Sequence, residues 1–109
     1  LSGEMGELDE ESARRLWQEI GLRYKRREEW ESAFTVWDTW ISRIRWAVRP
    51  LVEEAKYYEW VAKDLEAALR CTQRALHRAE AWPTGMRRIE KLAELEHRKE
   101  RLRRKLAGD

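Results

Sequence analysis

An all-α fold of antiparallel helical hairpins, about five helices closed by a C-terminal capping helix, is predicted by three features of the sequence. Apolar residues at 30, 34, 37, 41, 44 and 48 alternate four and three apart, the spacing of one helix face. Only two prolines and five glycines interrupt a chain that is 40% charged and 42% hydrophobic, a helical composition. The breaks between periodic segments are short, and helices joined by a few residues fold back antiparallel.

Residues 1–8, LSGEMGEL, hold two glycines and no periodic face, and read as frayed or as the remnant of a tag. Asp9 or Ser12 can cap the first helix, with Glu10 and Glu11 against the positive end of its dipole. Trp17, Ile20, Gly21 and Tyr24 mark its buried face. Gly21 either terminates this helix or lies inside it, where a missing side chain admits the partner helix. A glycine inside a helix costs about 1 kcal/mol relative to alanine, and Tyr24 continues the apolar face beyond it. Both points favour the internal position, with the helix running to Arg26.

A charged break, Lys25–Glu29, precedes a second helix expected from about Glu28 to Ala47, with Trp30, Ala33, Phe34 and Trp37 in its core face. Trp40 and Trp46 fall off that stripe and are expected to pack on a neighbouring hairpin. Pro50 suits the first turn of a third helix. Lys63–Asp64 is the next turn, with Asp64 capping DLEAALRCTQRALHRA and the small residues Ala68 and Ala75 forming a ridge. Residues 80–85, EAWPTG, are a loop. The final helix carries apolar residues at 86, 89, 92, 95, 102 and 106 and a solvated opposite face, as a terminal cap should.

The pattern W-x-x-I-G-x-x-Y followed by W-E-x-A-F-x-x-W resembles one tetratricopeptide repeat. Ala55 and Tyr58 follow Gly21 and Tyr24 by 34 residues, and Ala68 follows Ala33 by 35, so the pattern recurs. Glu54 and Thr72 depart from it. The resemblance implies one helical domain over 9–107: a repeat over 9–48, a second over 50–80 and the cap over 85–107. The motifs A-K-Y-Y-E-W, D-L-E-A-A-L and L-E-H-R-K-E-R-L-R-R-K-L also resemble the C-terminal region of bacterial proteins in which tetratricopeptide repeats follow a ribonuclease-H-like exonuclease domain. That likeness covers most of residues 14–106. It implies an accessory part without the metal-holding carboxylates that such catalysis needs.

The chemistry of the residues points away from catalysis. Glu53/Glu54 and Glu94/Glu96 read as solvated faces or helix ion pairs. His77 and His97 have no ligand partners at metal spacing, and no phosphate loop or nucleophile motif occurs. A non-enzyme without cofactor or metal is expected. The one cysteine, Cys71, allows no internal disulfide and suits a buried thiol in a reducing, cytoplasmic setting. No apolar run approaches the ~18–20 residues of a membrane span, and no signal peptide is visible. The initial leucine suggests an excised or engineered segment.

In the tetratricopeptide architecture the first helix of each hairpin lines a concave groove. That places Arg15, Gln18, Leu22, Lys25 and Arg26 from the first hairpin, and Arg49, Lys56 and Glu59 from the second, on a partner-binding surface. Trp60 and Trp82, near turns, are further contact candidates. Bases outnumber acids in this set, which fits an acidic peptide or a phosphate backbone. Net charge is only +2, but Arg98–Lys105 holds six bases and one acid, either a wet helix face or a phosphate grip. The favoured reading is a protein-interaction scaffold. Its rivals are an accessory nucleic-acid-binding module of an exonuclease and an engineered helical protein without a partner. Two repeats fall short of the roughly three that usually stand alone, so a homodimer or a longer parent is expected.

Overall fold

The computed structural model describes residues 9–108, and the expectation for residues 1–8 lies outside them. Among the described residues there are five helices and no strand. The fold is therefore all-α, with consecutive helices packed as hairpins. The chain divides into two compact units, the first ending at Ile44 and the second beginning at Arg45.

The first unit is a hairpin of α1 (Glu10–Arg26) and α2 (Trp30–Arg43). Asp9 caps α1, its carboxylate accepting the Ser12 N–H at 2.7 Å, and that bond holds the Asp9 carboxyl below its ordinary value. Glu10 and Glu11 stand in the first turn and Arg23, Lys25 and Arg26 in the last, each sign matched to the dipole end it faces. Gly21 is inside α1, as Tyr24 implied, and is buried. A Cβ built there would stand 2.7 Å from Nε1 and 3.2 Å from Cδ1 of Trp37, so the glycine is where the α2 indole lies against the α1 backbone. Phe34 meets Trp37 edge-on at 5.4 Å. Trp37 is buried, whereas Trp17 and Trp30, also expected in the core, are half-buried.

Between α1 and α2, Glu28 takes a left-handed conformation (φ 58°) and the Glu29 N–H closes back on the Tyr24 carbonyl at 2.9 Å. The loop occupies Arg27–Glu29, the C-terminal part of the predicted break. Helix α2 ends at Arg43, four residues before the expected Ala47, and Ile44 is extended (φ −122°, ψ 101°). With α3 starting at Arg49, a helix reaching Ala47 would leave one residue to redirect the chain. Instead residues 44–48 form the connection. Trp40, off the predicted stripe, is buried, and Trp46 is exposed.

The second unit packs α3 (Arg49–Trp60) on α4 (Leu65–Glu80), and α4 on α5 (Met86–Leu106). The entry to α3 is pinned through its carbonyls: Arg78 donates to Ala47 O at 3.0 Å and the Trp82 indole N–H to Trp46 O at 2.8 Å. Those bonds give two carbonyls outside any helix the partners that buried peptide groups need. Pro50 occupies the first turn of α3 as expected. Lys63 turns left-handed (φ 58°), and Asp64 caps α4 by accepting the Ala67 N–H at 3.0 Å.

Ala67, Ala68, Cys71, Ala75 and Ala79 form the buried small-residue face of α4. Thr72, a departure from the repeat pattern, is buried among them and donates its hydroxyl to Ala68 O at 2.9 Å, so the polar atom has a partner inside its own helix. Along α5 the structure narrows the predicted stripe. Leu95 and Leu102 are fully buried, but Met86, Ile89 and Leu106 are exposed.

Candidate functional site

Glu59, expected on an open binding surface, is instead a buried residue of the second unit. Its side chain has no solvent exposure, and three cations of α5 converge on it. Arg101 grips both oxygens, Nη2 to Oε1 at 2.7 Å and Nε to Oε2 at 3.2 Å. Lys105 Nζ donates to Oε2 at 2.7 Å, and Arg98 Nη1 reaches Oε1 at 3.4 Å. Residues 98, 101 and 105 are three and four apart, so one face of α5 carries all three cations. The physical reason for the correction lies there: α5 covers the end of α3 and brings its counter-charges with it. Burial opposes ionisation of Glu59, but the hydrogen bonds and charges of Arg101 and Lys105 outweigh it and hold the carboxyl below its ordinary value.

Trp60, the next residue, is 54% exposed. Lys105 Nζ stands 4.0 Å from the centre of its ring and Lys63 Nζ 5.9 Å, so Lys105 bridges the Glu59 carboxylate and the Trp60 π face. The basic run is thereby divided. Arg98, Arg101 and Lys105 turn inward, Lys99 pairs with Glu96 at 3.2 Å, and Arg103 and Arg104 are exposed.

Three other predicted residues gather on one surface of the first unit. Arg15, Gln18 and Leu22 line an open patch on α1 with Ser12, Leu16 and Glu19, and the apolar side chains Leu16 and Leu22 are both exposed within it. Arg26 is exposed and Lys25 half-buried at the end of the same helix. On α3, Arg49 is exposed, and the half-buried Lys56 lies 3.8 Å from Glu53. Positions 49 and 56, two turns apart, share a helix face.

Among the described residues, no three His, Cys, Asp or Glu side chains gather where they could hold a metal ion, and no helix is long and apolar enough to cross a membrane. Sequence reasoning missed the Glu59 cluster, although α5 carries a sign of it. Arg98 and Lys105 alternate with Leu95 and Leu102 at intervals of three and four, so bases occupy the stripe that otherwise holds leucines. Comparisons with protein families, curated proteins and solved structures give no match.

Proposed function

We propose that this chain is a non-catalytic protein-interaction scaffold of tetratricopeptide type, in which the exposed face of α1 and, separately, that of α3 each contact an acidic peptide or protein partner. The observation that carries the reading is the burial of the small residues on which the repeat resemblance rests. Gly21, Ala33, Ala55 and Ala68 are all buried, and Gly21 meets the Trp37 ring where a repeat needs close helix approach. The open α1 patch adds exposed leucines flanked by Arg15 and Glu19, apolar anchor points with one charge of each sign beside them. The inward turn of Arg98, Arg101 and Lys105 speaks against α5 as a phosphate-gripping surface, because their donors are engaged with the buried Glu59 carboxylate, which offsets one of their three charges.

The test is capture of partners by the immobilised chain and by its Arg15→Glu and Lys56→Glu variants. Partner recovery should fall at least tenfold in the double variant and fall for the wild type as salt rises. Equal recovery by wild type and double variant would contradict the assignment of these faces. Recovery of nucleic acid in place of protein would favour the accessory-module reading.

A further inference from the structure

The turn between α4 and α5 holds a feature that the scaffold reading does not use. An open groove of about 590 Å³ lies there, lined mainly by Trp46, Trp82, Pro83, Met86, Arg87 and Arg88. Its walls are tied to one another and to the backbone by hydrogen bonds and a ring contact. The Trp82 indole N–H is bonded to Trp46 O at 2.8 Å, the Arg87 guanidinium stands over the Trp82 ring at 5.4 Å from its centre, and Arg88 donates to Glu80 O at 3.2 and 3.3 Å. Gly85 enters α5 with φ 157° and ψ −178°, a region open almost only to glycine, which sets the angle between loop and helix. Met86 is 66% exposed at the edge, and Ile89, one turn further along α5, is exposed beside it.

Among the described residues, both charged residues lining the groove are arginines and no acid lines it. Glu80 contributes its backbone carbonyl to Arg88. Arg87 stands over the Trp82 ring as a cation–π contact, and its guanidinium carries N–H groups that can also donate to a carboxylate. Tryptophan, methionine and arginine are also the residue types enriched where protein surfaces anchor a partner. We infer that this groove docks a short acidic peptide segment, which seats one bulky apolar side chain on Trp46, Trp82 and Met86 and sets its carboxylates against Arg87 and Arg88. The inference rests on the second unit alone and does not depend on the α1 and α3 faces.

The experiment uses the full chain and three short fluorescein-labelled peptides read by fluorescence anisotropy. One contains Asp and Glu with a central Phe and Leu, the second replaces Phe and Leu by Ser, and the third replaces the acids by Lys. The first should bind, with an affinity that falls as salt rises, and the other two should bind at least tenfold more weakly. Met86→Asp, at an exposed position that folding does not need, and Arg87→Glu should each weaken the first peptide by tenfold or more. Absence of binding by the first peptide, equal binding by the Ser or Lys peptide, or displacement by a single-stranded oligonucleotide would overturn the inference. Binding that responds to Arg15→Glu but not to Met86→Asp would also overturn it, while leaving the α1 and α3 reading standing.

Discussion

Replacing Glu59 with alanine should destabilise the second unit by about 3 kcal/mol, the lower end of the range for breaking a buried ion pair. The lower end applies because the three cations are not sealed in. The side chains of Arg98, Arg101 and Lys105 are 14%, 30% and 32% exposed, so each can recover some hydration once the carboxylate is gone. Glu59 is fully enclosed and has no such recourse. Removing any one cation should therefore cost less than removing the acid, since two donors remain. Urea unfolding followed by circular dichroism measures the loss, and hydrogen exchange in α5 locates it. A loss under 1 kcal/mol would mean that the cluster is incidental to the packing of α5. The pH dependence has a fixed sign. The Glu59 carboxyl is held below its unfolded value, so its contribution is fully present above the ordinary glutamate range. That contribution is lost as pH falls through the lower, folded value.

Gly21→Val should cost the first hairpin about 3 kcal/mol, at the upper end of the usual overpacking range. Alanine alone would put a Cβ 2.7 Å from the Trp37 Nε1, closer than real contacts allow, and the indole is a rigid, buried ring that cannot swing aside freely. For alanine the clash is offset in part by about 1 kcal/mol of helix propensity. Valine adds two methyls to the same crowded space and gains less propensity, so its sign is not in balance. Pairing each change with Trp37→Phe should recover part of the loss, because the smaller ring removes the nitrogen that the new carbon meets. Denaturation midpoints for the four members of that cycle give the coupling directly. Additive losses, or a stable Gly21→Val variant, would remove the close approach of α1 and α2 on which the hairpin reading depends.

Helix existence was legible because it rests on local rules. The caps at Asp9 and Asp64, the proline in the first turn of α3 and the loop before Met86 each left a mark in adjacent residues. The end of α2 was not legible. The stripe through Ile44 and Val48 continues at helical spacing, and both residues are buried, but the connection buries them outside a helix. Periodicity reports burial, and here burial outlasted the helix. Glu59 was misplaced for a different reason. Counting faces along α3 treats any acid as a surface residue, whereas its partners stand 39 to 46 residues away on α5. Only the bases interleaved with Leu95 and Leu102 hinted that α5 carried charge toward the core. Arg15, Gln18 and Leu22 share one patch of α1 because an exposed helix face follows from the same periodicity that defines the buried one.

The functional reading turns on how the basic run of α5 uses its charge. If Arg98, Arg101 and Lys105 serve Glu59, these three bases belong to the internal packing of the second unit, and only Arg103 and Arg104 of the run's arginines stand exposed. The most direct measurement is an NMR pH titration of the Glu59 side-chain carboxyl carbon in the intact chain. The midpoint should lie clearly below the ordinary glutamate value. A midpoint at that value, or above it, would mean that the three cations are not holding an ionised carboxylate.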